Sequence, residues 1–106
     1  MLGREGIVLI VLFFADVVGR PGRERLLAKL PELRRRFEAD AVVVNGENAA
    51  NGTGITPKVA DRLFSGGVDV ITTGNHIWRY RDIYSYLDEQ PRIVRPFNFL
   101  PSNPGR

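Results

Sequence analysis

The sequence predicts an α/β domain built on a mostly parallel sheet flanked by helices. Three observations point to it. An apolar run, a glycine-containing polar turn and an amphipathic stretch follow one another three times along the chain. The apolar runs are rich in β-branched residues, as strands are, and the stretches between them carry a helical stripe. Strands that alternate with helices imply parallel βαβ units with right-handed crossovers. With 106 residues there is room for one domain, near the low end for a complete α/β enzyme.

The first strand is expected at about 6–15. Ile7 to Ala15 is a continuous apolar run, too short for the roughly 20 residues of a membrane-spanning helix. No small-residue cleavage pattern follows it, since Asp16-Val17-Val18-Gly19 comes next, so it is not read as a signal peptide. Its unbroken apolar character predicts a strand covered on both faces. A turn at Gly19-Arg20-Pro21-Gly22 leads into a helix with Leu26, Leu27, Leu30, Leu33 and Phe37 on one stripe. Pro31 is expected to kink or divide that helix, because proline removes a backbone donor and crowds the preceding turn.

The second strand opens at Ala41 to Val44, and the glycine-rich loop from Asn45 to Ile55 follows. Thr56-Pro57 then reads as a helix start, a hydroxyl cap before a proline at the first helical position. Val59, Ala60, Leu63 and Phe64 form that helix's apolar face, and Gly66-Gly67 ends it. The third strand is expected at Val68 to Thr73, followed by the turn Gly74-Asn75-His76 and a helix near Tyr80 to Leu87. A fourth strand begins at Ile93-Val94. The whole of 1–106 is read as a single domain.

Composition narrows the chemistry. There is no cysteine, which excludes disulfides, thiolate metal sites and a cysteine nucleophile, and fits a reducing, cytoplasmic setting. The net charge of +3 comes from scattered arginines, read as a solvated surface or as attraction for phosphate-bearing ligands. The arginines at 34–36 have no interleaved aromatic platform, which argues against a nucleic-acid interface.

Ligands of open parallel sheets sit outside the carboxyl ends of the strands. Here the first strand ends at Asp16, the second at Asn45-Gly46-Glu47-Asn48 and the third at Asn75-His76, the only histidine of the chain. Carboxylates, carboxamides and one imidazole thus collect at one edge, a donor set suited to Mn, Fe or Zn. Each residue also has a plainer role open to it. Asp16 can cap the following helix, Asn48 and Asn51 can serve as turn residues, His76 can be a satisfied loop histidine, and Trp78 can pack beneath the loop. Gly19 to Arg23 matches neither the dinucleotide fingerprint nor a P-loop, so a phosphate cradle there is a weak reading.

DVVGRPGR at 16–23, NGENAANGTGIT at 45–56, GNHIW at 74–78 and RPFNF at 95–99 resemble the YmdB-like branch of the calcineurin-type metallophosphoesterases, a family of 2′,3′-cyclic-nucleotide 2′-phosphodiesterases. The resemblance runs over nearly the whole chain after about residue 8. It implies the N-terminal half of an αββα sandwich with a dinuclear centre of two divalent ions, Fe, Mn or Zn. By motif position, Asp16 would ligate one metal, Glu47 would bridge both or bind in the bridging region, and Asn75 would ligate the second. Asn48 would help bind phosphate, and His76 would contact the phosphate and protonate the leaving oxygen. The implied reaction is attack of an activated water on a small phosphodiester, in line with the departing 2′-oxygen.

The chain departs from the family in three ways. Ala15 stands where glycine is usual, the N-terminus is several residues longer, and the family's chain is more than twice as long, with further histidine ligands in its later segments. The 106-residue chain is therefore expected to bind metal weakly, to turn over little, and to self-associate or pair with a C-terminal half through an open sheet face. The alternatives are a non-catalytic interaction or regulatory module derived from the same family, and a small nucleotide-binding domain using the Gly19 to Gly22 turn.

Overall fold

The computed structural model describes residue 6 and residues 8–106. The elements run in the order β1 (Val11–Phe14), α1 (Gly19–Arg36), β2 (Ala41–Asn45), α2 (Pro57–Ser65), β3 (Val70–Thr72), α3 (Ile83–Glu89) and β4 (Ile93–Val94). The four strands form one parallel sheet in the order β1-β2-β3-β4. The α/β class, the parallel sheet and its flanking helices are as the sequence predicts.

Sheet order explains the layering. When every crossover is right-handed and every step goes to the next strand on the same side, all the helices fall on one face. Burial follows that geometry. Val42, Val44, Ile71 and Ile93 are fully buried and join Leu26, Leu30, Leu63, Ile83 and Leu87 from the helices in one core. Their neighbours along the strands, Val43, Val70, Thr72 and Val94, are only partly covered. Register aligns Phe13 with Val43 and Val43 with Val70, and Asn45 with Thr72 and Thr72 with Val94, so these rows share the opposite face.

The first strand corrects an expectation. A strand covered on both faces was predicted, but β1 lies at the sheet edge, with Val11 45% and Phe13 58% exposed. The apolar run reports surface that needs a cover; among the described residues only the helical layer supplies one. The strand is also shorter than the expected 6–15, and Ile7 of that run lies outside the described residues.

Pro31 gives a second correction. Helix α1 continues through it for 18 residues and is not divided. Proline removes one intrahelical hydrogen bond; before it Leu26 and Leu30 are buried in the core, and after it Arg34 is bonded to Gly67 and Asp69, so both halves are tied to the rest of the domain. The helix closes in a Schellman arrangement. Glu38 N–H donates to Arg35 O at 3.2 Å and Ala39 N–H to Arg34 O at 3.0 Å, with Glu38 in the left-handed region at φ +51°. Helix α2 starts as expected, with the Thr56 hydroxyl accepting from Val59 N–H at 3.2 Å and Pro57 in the first turn.

At the edge opposite the candidate site, Arg34 Nη1 donates to Gly67 O and to Asp69 Oδ2, both at 2.9 Å, while Val42 N–H donates to the same Asp69 oxygen at 2.8 Å. Burial pulls the Asp69 pKa up, but the hydrogen bonds from Arg34 and Val42 and the charges of Arg34 and Arg92 outweigh it and hold the group below its ordinary value. No helix among the described residues is long and apolar enough to cross a membrane.

Candidate active site

The carboxyl ends of β1, β2 and β3 lie side by side, and the residues after them meet. β1 is followed by Asp16 in the left-handed region at φ +48°, an uncommon conformation that aspartate tolerates better than most residues. Asp16 does not cap α1. The cap position is Val18, without a side-chain hydrogen bond, and the Asp16 carboxylate instead accepts from Asn48 Nδ2 at 2.9 Å.

Asn48 is engaged at both ends of its amide. Its Oδ1 lies 2.6 Å from His76 Nδ1. Because Nδ2 is the atom that donates to Asp16, Oδ1 accepts, and the imidazole proton sits on Nδ1. His76 Nε2 is then the ring nitrogen left for another partner. Glu47 completes the group: its Oε2 accepts from His76 backbone N–H at 3.1 Å and lies 3.4 Å from His76 Nδ1. The Glu47 side chain is 16% exposed and the His76 ring 41%, so the carboxylate forms the floor of the cluster and the imidazole its rim.

Gly74 makes that floor possible. A Cβ there would run into the Glu47 carboxylate, 2.7 Å from its carbon and 2.8 Å from Oε2. Backbone bonds tie the loops together: Gly46 N–H donates to Thr72 O at 2.9 Å and Val17 N–H to Asn45 O at 3.2 Å.

The structure thus unites Asp16, Glu47, Asn48 and His76. Asn75 sits exposed in the turn between Gly74 and His76. Trp78 packs on Phe99 with ring centroids 4.6 Å apart, and Arg79 and Arg81 are exposed. Sequence reasoning missed Arg23. It lies in the segment weighed as a phosphate cradle, which was expected as a turn and is the start of helix α1, and its guanidinium donates to Ala49 O and Ala50 O at 2.8 and 2.6 Å. No residue pattern signals that contact, because it joins positions 26 and 27 residues apart.

A family model described as YmdB-like protein matches residues 12–106. The chain belongs to the YmdB-like family. It is 42% identical over 96 residues to the 2′,3′-cyclic-nucleotide 2′-phosphodiesterase of Bacillus subtilis, covering 91% of this chain and 36% of that protein. Its fold matches a phosphatase of Mycoplasma pneumoniae at a TM-score of 0.86 and 33% identity, over 92% of this chain and 36% of the other. A protein of Thermus thermophilus matches at 0.82 and 41% identity, over 91% and 37%. The chain therefore spans about a third of the length of these three proteins.

Among the described residues no three His, Cys, Asp or Glu side chains gather as a metal site. The chain's donors for a cation are oxygen-rich and of mixed type, two carboxylates with carboxamides and one imidazole. Their setting fits part of a coordination sphere: Glu47 is cradled over a glycine and its carboxylate is held by the His76 backbone N–H.

Proposed function

We propose that this chain supplies one side of a dinuclear metal centre that hydrolyses phosphodiesters, with cyclic nucleotides as the substrate class by likeness to the Bacillus subtilis relative. The observation that carries the reading is the hydrogen-bonded set Asp16–Asn48–His76–Glu47 at the carboxyl ends of three adjacent parallel strands. Asp16, Glu47 and Asn75 would hold two divalent ions, Fe, Mn or Zn. Bound there, the ions would supply positive charge at the phosphoryl oxygens and acidify a water.

The chain's own residues do the rest. Asn48 Nδ2 has a second hydrogen beyond the one given to Asp16, and that hydrogen would donate to a phosphoryl oxygen. His76 keeps its Nδ1 proton toward Asn48. In the imidazolium form it carries a second proton on Nε2 and gives it to the departing 2′-oxygen, a contribution of roughly 10²–10⁴-fold. Further ligands must come from outside these three residues, so the 106-residue chain alone is proposed to bind metal weakly and turn over slowly.

The exposed apolar residues of β1, Val11 and Phe13, favour a second reading, a non-catalytic module that binds another copy or a C-terminal half through this face. Hydrolysis of bis-p-nitrophenyl phosphate and of a 2′,3′-cyclic nucleotide with added Mn²⁺ separates the two. The catalytic reading expects slow, chelator-sensitive turnover that Asp16→Ala and Glu47→Ala abolish. Metal uptake untouched by both substitutions would sink it, and a stable metal-free complex would favour the second.

A further inference from the structure

The first βα turn is fastened to the loop that follows β2. Val17 N–H donates to Asn45 O at 3.2 Å and Gly19 N–H to Asn48 O at 2.9 Å. Gly19 has a φ of +61°, the left-handed conformation that glycine adopts without a Cβ penalty. One turn into α1, Arg23 closes the attachment. A single guanidinium nitrogen, Nη1, donates to Ala49 O at 2.8 Å and to Ala50 O at 2.6 Å. Its two hydrogens match two successive carbonyls, so the loop is held at two points directly behind Glu47 and Asn48.

The consequence reaches the carboxylates. Asp16 hangs from the β1 end of this attachment, and Glu47 and Asn48 hang from the β2 end. The loop between Asn45 and Thr56 has no regular secondary structure to stiffen it. Its position relative to Asp16 is set by the cross-links just named, by the Gly46–Thr72 and Asn48–Asp16 bonds and by the loop's own Ala49–Gly46 and Ala50–Gly54 bonds; among the described residues Arg23 is the only side chain that bonds both Ala49 O and Ala50 O. Lysine would replace it only in part: an ammonium can donate to carbonyls, but on a shorter, flexible stem without the planar guanidinium that fixes the two Nη1 hydrogens.

We propose that Arg23 is a positioning residue, setting the spacing between Asp16 and the Glu47–Asn48 pair by clamping the loop carbonyls behind them. This rests on the metal-centre reading above, and the experiment separates the two. Mn²⁺ is titrated into the wild-type chain, Arg23→Ala, Arg23→Lys and, as a control in the exposed last turn of α1, Arg35→Ala, with thermal melting recorded for each. In parallel, the ring ¹⁵N signals of His76, the chain's only histidine, are recorded at one pH without metal.

Arg23→Ala should weaken Mn²⁺ binding roughly 10–100-fold, the range for residues that orient metal ligands. Arg23→Lys should recover part of the loss. The His76 signals should move in Arg23→Ala, and added methylguanidinium should return both readings toward wild type. A folded Arg23→Ala with wild-type Mn²⁺ affinity and wild-type His76 signals overturns the proposal. So does an equal loss in Arg35→Ala. Should Arg23→Ala not fold, Arg23→Lys decides on the same two readings. Should the wild-type chain take up no Mn²⁺, the metal-centre reading fails, and His76 alone decides for Arg23: signals that shift and are restored support the clamp, and signals that do not move overturn it.

Discussion

The carboxamide of Asn48 joins Asp16 to His76. It donates to the aspartate at 2.9 Å and lies 2.6 Å from the imidazole Nδ1, so groups from three strand ends share one polar chain. The arrangement holds His76 through its Nδ1, and the Asp16 carboxylate bonds Asn48 where it could have capped the start of α1.

Asp16 combines a left-handed backbone with that carboxylate. Asp16→Gly should relieve the backbone strain while losing a hydrogen bond and gaining unfolded-state entropy, terms of about 1 kcal/mol each. The expected outcome is an unfolding free energy within about 1 kcal/mol of wild type in urea, alongside loss of Mn²⁺ binding by calorimetry. Retained affinity would remove Asp16 from the proposed ligand set.

Gly74→Ala tests the cradle under Glu47. The new methyl would meet the far end of a flexible side chain, which can swing aside, so stability should fall by less than about 1 kcal/mol. Swinging aside breaks the bond from His76 N–H to Glu47. Mn²⁺ affinity should therefore drop by roughly tenfold or more in a variant that still folds, its melting temperature lowered by only a few degrees.

Glu38 occupies the left-handed position of the Schellman motif, where glycine is usual. Glu38→Gly should raise stability by about 0.5–1 kcal/mol, the relief of the left-handed penalty less the greater unfolded-state entropy of glycine. Chemical denaturation measures it. A loss of stability would mean that the Glu38 side chain contributes more than its backbone conformation costs.

Asp69 predicts an acid dependence. Its folded pKa is depressed, so the carboxylate contributes stability that is complete above the unfolded pKa, near 4, and is lost as pH falls through the folded value. Stability should decline on acidification below about pH 4, and Asp69→Ala should flatten that decline. At neutral pH the same substitution removes two hydrogen bonds, from Arg34 and Val42, and should lower stability by about 1–2 kcal/mol. Urea titrations from neutral pH down to pH 3 compare the two chains.

Much of the fold was legible because its signals are local. Thr56-Pro57 placed the start of α2 at the right residue, since a hydroxyl cap and a proline act within one turn. The third strand was legible only approximately. Val68 reads as strand but its N–H donates to Leu63 O, closing α2, and pairing begins at Val70. Pro31 read as a break, yet α1 runs through it, with Leu26 and Leu30 buried before it and Arg34 bonded to Gly67 and Asp69 after it, contacts that lie 33 and 35 residues away in the chain. The apolar stretch of β1 read as doubly buried, because hydrophobicity registers the need for cover and not which layer provides it.

The order of strands and turns, and the placement of Asp16, Glu47 and His76 directly after three apolar runs, could be read from the chain alone, since each depends on residues adjacent in sequence. The contacts among them could not. Asn48 meets Asp16 across 32 residues and His76 across 28, and Arg23 reaches Ala49 across 26. Such distances close only when parallel pairing sets Val11 beside Ala41 and Asn45 beside Thr72. A register shifted by one residue would turn alternate side chains to the other face and leave these groups apart.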